Sequence, residues 1–368
     1  MTRPALLVLC VALSSASLVV VGNSLRPSRQ DVDDMPDSFV IKALTHWDAG
    51  WYGEIAKNGY WYNPKTQSPV AYFPLYPMAV RALTWVGLNR WVAGPLLSLL
   101  CALGGMLLFR KWALIVKPAA AATAFLALLL YPFNEYLYGF MYSDALFLLV
   151  GVAAFYSVER DRPGLAALFG IMATACRPVA PALVIGLVLR SIERRRAAGQ
   201  SVGWREFVPG LAGLGFAAWL VFLGWRFDDP LAFAHVQGSP GWDQIPGWHS
   251  WLKVEWFTTM FPRVAPLVAI RLGGHALITL GCLVLSVLTF RRLGVGYGVY
   301  CLVCIGIPAF STKDFQGLGR YAIAAFPLFL TWASILDERP RLRSWWLFGS
   351  GLVLIWLAIA LGMGAYVS

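Results

Sequence analysis

The chain has 368 residues, of which 58% are hydrophobic and only 13% charged, with a formal net charge of +11. A soluble globular domain carries about 25% charged residues, so this composition excludes an ordinary soluble enzyme and indicates an integral membrane protein with many spans. The stretches between apolar runs are too short for a separate nucleotide-binding domain, which needs roughly 100 residues, and the chain reads as one domain, 1–368. The positive charge sits largely in short loops, as orientation in a membrane requires, and does not imply nucleic acid.

The first apolar run, 4–22, has the look of a signal peptide but the length of a first span. A large loop, 23–90, follows. It opens with "DVDD", whose Asp31 and Asp33 form a DxD pair. In nucleotide-sugar enzymes such a pair holds a divalent cation, but this chain has no room for the accompanying domain. A solvated acidic turn is the better account.

From Ser38 to Asn58 the pattern is helical: Leu44, Trp47, Trp51 and Ile55 form one stripe, and Gly59 is a stop. The expectation is one amphipathic helix with an aromatic face at the membrane interface. Asp48 lies beside that stripe, with Trp51 and Tyr52 about one turn on. Apolar rings around a carboxylate disfavour its charged form and raise its pKa, as suits a general base near neutral pH. The plainer alternative is a surface aspartate bonded to a tyrosine or paired with Lys42 or His46. After the helix, Pro64, Pro69, Pro74 and Pro77 argue against regular structure, and the segment should fold back towards the span at 91.

Further apolar runs lie at 91–109, 119–131, 145–158, 164–175, 179–190, 207–226, 264–290, 293–310, 321–336 and 347–366. Several are shorter than the roughly 20 residues of a full span. If residues 1–3 are cytoplasmic and 164–175 and 179–190 cross separately, then loops 110–118, 159–163, 191–206, 291–292 and 337–346 are cytoplasmic and, with Arg3, hold half of the 30 Lys and Arg. The expected fold is therefore all-α and polytopic, with about eleven segments, several short or broken. Broken segments at membrane depth are tolerated where they line a wet cavity. The large loops 23–90 and 227–263, the short loop 311–320 and the break Pro132–Ser143 then face outward, where chemistry is expected.

Arg177 in "CRP" and Arg320 in "GLGRY" each stand at a break between apolar segments. An arginine near membrane depth is costly, and its planar fork suits a phosphate. The alternative is an interfacial arginine that snorkels to the headgroups. Asp144 is placed to orient one of them, with Glu135 second for that role. Gly317 and Gly319 are expected to let the backbone near Arg320 approach a ligand. Six cysteines fall in or beside apolar runs, and Cys301 and Cys304 read as small core residues. With four histidines (46, 235, 249 and 275), no metal-ligand cluster is visible.

"HWDAGWYGEIAKNGY" with "AYFPLYPMAVRAL", "YPFNEYLYGFMYSDALFLLVGVAAFYSVERDRPGLAALFGIMATACRPVAP" and "GLGRYAIAAFPLF" together resemble the PIG-V-like mannosyltransferases, a branch of the GT-C superfamily of membrane glycosyltransferases. His46 stands where that family usually has Arg, and Asp144 where Glu is common. The resemblance implies a GT-C-like fold. It also implies transfer of a sugar, mannose first, from a polyprenyl-phosphate carrier to an acceptor hydroxyl on the non-cytoplasmic side, with inversion. It makes Asp48, in the first outer loop, the base. Position at the outer ends of apolar segments makes Arg320, with Lys313 in the same loop, and Arg177 the candidate phosphate ligands, and Trp47, Trp51, Tyr52, Tyr72, Tyr142 and Asp144 are the candidates for sugar contacts. Interfacial anchoring is the alternative for the aromatic residues. No metal or other cofactor is expected, and the partners are the donor lipid, a hydroxyl-bearing glycolipid, glycan or protein, and membrane lipids. The excess of Arg (23) over Lys (7) points towards a GC-rich bacterium, hence a plasma membrane with an outward-facing site. Two other readings stay open: the same chemistry with another sugar, such as arabinose or glucose, and a lipid transporter or scaffold with no transfer activity.

Overall fold

The computed structural model describes residues 2–25, 34–260 and 266–367. Among the described residues there are helices and loops and no strand. In chain order the helices are α1 (Arg3–Leu25), α2 (Phe39–Leu44), α3 (Ala49–Asn58), α4 (Leu75–Trp85), α5 (Arg90–Val116), α6 (Ala121–Leu129), α7 (Asp144–Glu159), α8 (Pro163–Thr174) and α9 (Ala180–Ala197). They continue with α10 (Leu214–Phe227), α11 (Ala232–His235), α12 (Trp248–Trp251), α13 (Pro266–Arg292), α14 (Val295–Ser311), α15 (Leu318–Tyr321), α16 (Pro327–Leu336) and α17 (Pro340–Gly362). Five stretches are long and apolar enough to cross a membrane: Arg3–Leu25, Arg90–Val116, Trp204–Phe227, Val268–Arg292 and Pro340–Gly362. Each of the expected apolar runs is helical over most of its described length, and the chain is an all-α, polytopic integral membrane protein.

Two local expectations are corrected. The stretch 38–58 is not one helix. It breaks at Thr45–Asp48, where the Thr45 hydroxyl bonds back to the Ile41 carbonyl at 2.8 Å and Trp47 takes a left-handed φ of 58°. The supposed stripe is split in consequence: Ile55 is buried and Leu44 nearly so, while Trp47 stays exposed. The proline-rich stretch after it is not irregular throughout either. Pro69–Ala71 forms a 3₁₀ turn, and α4 accommodates Pro77 in its first turn, where a missing N–H costs no helical hydrogen bond.

Small residues set the closest crossings. At the α1–α17 contact a Cβ on Gly22 would lie 2.2 Å from the Ile359 oxygen, and one on Gly362 would lie 2.1 Å from the Val19 oxygen. Backbones can approach this closely only where both side chains are absent. The crossing fixes where α17 ends, and Gly364, with φ 83°, turns the chain inward from there.

The basic loops gather at one end of the bundle. Glu159, at the end of α7, pairs with Arg190 (2.6 Å) and Arg194 (3.2 Å) and accepts from the Tyr297 hydroxyl at 2.7 Å. Arg205 pairs with Asp161, Arg292 with Glu338, and Arg343 with Asp337. Asp144 begins α7, so it lies about 22 Å from Glu159 at 1.5 Å per residue. At that other end Tyr60, Tyr62 and Phe73, from the described part of the loop 23–90, pack with Trp219, Phe222 and Phe233 into a second apolar cluster.

Candidate active site

The break before α3 puts Asp48 at the helix N-terminus, yet its carboxylate makes no capping bond. It is directed elsewhere. Its Oδ1 accepts from the Tyr72 hydroxyl at 3.2 Å, and its Oδ2 lies 3.5 Å from Arg320 Nη1. The turn itself is clamped by Tyr142, which is buried: the phenol accepts from the Asp48 N–H at 3.1 Å and donates to the His46 carbonyl at 3.4 Å. The tyrosine bond is the one the sequence offered as an alternative, but the cation that faces the carboxylate is Arg320 rather than Lys42 or His46.

Asp144 opens α7, where a carboxylate is favoured by the helix dipole. Its Oδ1 is 2.8 Å from Arg177 Nη1 and 3.9 Å from Arg320 Nε. The two arginines thus share Asp144, and Arg320 also reaches Asp48. Arg177 comes from the break between α8 and α9, where Pro178 and Pro181 prevent a continuous helix. Its guanidinium lies over the Phe147 and Tyr321 rings, while that of Arg320 lies about 5 Å from the Tyr136, Tyr142 and Tyr321 rings. Arg320 is almost fully buried, and its Nε and Nη1 make ion pairs but no hydrogen bond. Its flanking glycines serve packing rather than an open approach. A Cβ on Gly319 would strike the Phe133 ring at 2.4 Å, and Gly317 turns the chain with φ 84°.

Glu135 is also buried, with neither carboxylate oxygen hydrogen-bonded. Burial pushes its carboxyl well above the usual range, against the pull of Arg320 and together with the repulsion of Asp144. Beside it, the carboxylates of Asp48 and Asp144 face the guanidiniums of Arg177 and Arg320, a balanced cluster of two and two. His46 is buried, and its Nε2 has no hydrogen-bond partner. Burial pushes the imidazole below its usual value, so at neutral pH it supplies no charge at this position.

The remaining candidates divide. Tyr52 is buried, and its hydroxyl donates to Ser143 Oγ at 3.0 Å, tying α3 to the start of α7. Trp51 stacks on Tyr72 with centroids 6.0 Å apart, and both meet Trp242 of the second large loop. Trp47 meets Tyr366 edge-on at 5.1 Å. Lys313 is set apart from the carboxylates of the cluster: it pairs with Asp243 at 3.6 Å and Glu255 at 3.9 Å. Asp31 and Asp33 lie outside the described residues; their neighbour Asp34 is paired with Lys57 and Arg90.

Sequence reasoning passed over Trp242, His275 and Tyr366. Trp242 sits in a loop dense in Gly and Pro, and no spacing connects it to Trp51. His275 lies inside an apolar run and Tyr366 beyond the last one, so neither carried a local signal.

Comparison with known proteins gives two matches and one absence. The family described as Mannosyltransferase (PIG-V) matches residues 6–186, which include Asp48, Tyr72, Tyr142, Asp144 and Arg177 but not Lys313 or Arg320. Among curated proteins none matches the chain. Among solved structures, the crystal structure of ArnT from Cupriavidus metallidurans bound to undecaprenyl phosphate superposes with a TM-score of 0.55 at 17% identity, over 95% of this chain and 63% of that one. That likeness is one of fold. The present chain spans less than two thirds of the ArnT chain. The chain is thus similar to the mannosyltransferase (PIG-V) family over residues 6–186, just under half of its length.

Proposed function

We propose that the protein transfers a sugar, mannose in the first instance, from a polyprenyl-phosphate carrier to a hydroxyl of a glycolipid, glycan or protein acceptor. One observation carries the reading. Asp48 leads a helix without capping it and faces a buried guanidinium whose Nε and Nη1 make no hydrogen bond. A phosphate is a natural ligand for such a fork. Because the cluster is balanced in charge, an incoming phosphate competes with Asp48 for Arg320. Donor binding then releases Asp48 from its ion pair at the moment a base is needed.

The chemistry follows as a single displacement. The acceptor oxygen attacks the anomeric carbon, Asp48 takes the hydroxyl proton, and the bond from that carbon to the phosphate oxygen breaks. The phosphate leaves with its electrons, and Arg320 and Arg177 take up the growing charge. One displacement inverts the anomeric configuration. Two guanidiniums can meet the charge of a monophosphate leaving group without a divalent cation, so the transfer should persist in EDTA. The basic loops at the opposite end support a cytoplasmic side there and an outward-facing site in a bacterial plasma membrane. The family match supports mannose, and the lipid named in the ArnT structure supports the carrier.

The test is incubation of purified protein with polyprenyl-phosphate-mannose and total membrane lipid, followed by mass analysis. Wild type should give a mannosylated product that Asp48→Asn does not. Absence of product from wild type would favour the transporter reading.

A further inference from the structure

The last described segment, Ala365–Val367, is held in place from two directions. Arg271 of α13 donates through Nη1 to the Tyr366 carbonyl, and His275, one turn along, lies 3.2 Å through Nε2 from the Val367 carbonyl. The other ring nitrogen of His275, Nδ1, accepts the Gly319 N–H at 3.1 Å. An acceptor at Nδ1 places the imidazole proton on Nε2, which must then donate to Val367. One buried neutral imidazole therefore joins the turn that carries Arg320 to the segment that carries Tyr366. Phe133 closes it in, with ring centroids 5.2 Å apart. The Gly319 carbonyl is fixed in turn by the Tyr131 hydroxyl at 2.7 Å.

Tyr366 is thereby delivered to the site. Its ring meets Trp47, next to Asp48. Asp48 in turn lies 3.5 Å from Arg320, so the segment brings a phenol to the side of the site where that pair meets. A phosphate held by Arg320 would find there a neutral donor that adds no charge to a balanced cluster.

Resting on the function proposed above, we propose that the segment Ala365–Val367 is part of the donor site. Tyr366 gives its hydroxyl to the lipid phosphate beside Arg320, and His275 is the positioning residue that holds both in register. The two links of His275 can be cut separately. An asparagine amide reaches roughly where Nδ1 lies and keeps the acceptor for Gly319. A glutamine amide reaches roughly where Nε2 lies and keeps the donor for Val367.

The experiment measures binding of a short-chain polyprenyl phosphate to the purified full chain, with steady-state transfer kinetics alongside and thermal melts to confirm folding. Tyr366→Phe retains the ring against Trp47 and should melt like wild type. It should bind polyprenyl phosphate about tenfold more weakly, the scale of one hydrogen bond to a charged group, with the acceptor KM unchanged. His275→Asn, which releases Val367, should weaken binding too, but much less when Tyr366 is already Phe, because its effect runs through that hydroxyl. His275→Gln should weaken binding in both backgrounds, because it frees the Arg320 turn. Wild-type affinity in Tyr366→Phe, or strictly additive losses for His275→Asn and Tyr366→Phe, would overturn the inference. Failure of wild type to bind polyprenyl phosphate would overturn the donor reading itself.

Discussion

Asp48 and Arg320 oppose each other at 3.5 Å, and that spacing decides how each should respond to substitution. Asp48→Asn keeps the shape and the Tyr72 contact but cannot take a proton. Turnover should fall by roughly 10²–10⁴-fold, the worth of a positioned base, with donor affinity retained or raised because Arg320 no longer has a competing carboxylate. A variant that keeps more than about a tenth of wild-type turnover would remove Asp48 from that role. Arg320→Lys retains charge for Asp48 and Asp144 but loses the fork. It should lower both donor affinity and turnover, since the leaving phosphate gains charge in the transition state; donor kinetics equal to wild type would reduce Arg320 to a structural cation. The residues that form this pair were legible because each breaks a local rule: a carboxylate among aromatic rings, an arginine between two apolar runs. Lys313 obeys the same rule and was selected on the same ground, but its carboxylate partners, Asp243 and Glu255, belong to a loop with no fixed register to it.

At the level of elements, the second large loop joins the two halves of the site. Trp242 packs on Trp51 and Tyr72, while Gln244, two residues on, accepts the Lys313 N–H at 2.6 Å. Lys253, with a left-handed φ of 55°, is buried against the loop that leads to Arg320 and donates to the Thr312 carbonyl. Burial pushes its ammonium down to about 8, against the pull of Asp314. The folded loop thus holds this proton less tightly than the unfolded chain, so its contribution to stability rises with pH between about 8 and the ordinary 10.5. Relative to Lys253→Met, the wild-type melting temperature should climb across that window. A constant difference between the two proteins from pH 7.5 to 10 would show that the ammonium is not desolvated. Loop contacts of this kind lie outside what periodicity reveals. The helical runs were readable from their apolar length, whereas the break at Thr45–Asp48 was not, because the aromatic stripe continues across it. In a membrane helix, lipid-facing and core-facing sides are both apolar, so the pattern does not tell which side packs.

For the whole molecule, the arginine cluster and the basic loops occupy opposite ends of the bundle, linked by α7 and α9. Buried guanidinium donors without hydrogen bonds are costly in the unliganded protein, and a phosphate that fills them binds the native state alone. Saturating polyprenyl phosphate should therefore raise the melting temperature, by an amount set by the ratio of ligand concentration to Kd. The shift should shrink in Arg320→Lys, and an equal shift in both proteins would place the lipid elsewhere. The architecture was legible as a count of segments and a charge asymmetry. The convergence of residues 48, 144, 177, 275, 320 and 366 was not, since it depends on helix crossings such as Gly22 against Gly362. That convergence has a consequence for how the chain can be divided. Residues up to Gly199 contain Asp48, Asp144 and Arg177; those after it contain His275, Arg320 and Tyr366. The stretch 198–201 between them is exposed and lies at the end remote from the chemistry, while α9 packs on both the 204–213 turn and α14. Two fragments divided at Gly199 should each be inert, yet regain transferase activity when co-expressed in one membrane, so that the protein behaves as a self-assembling pair whose catalytic centre exists only in the union.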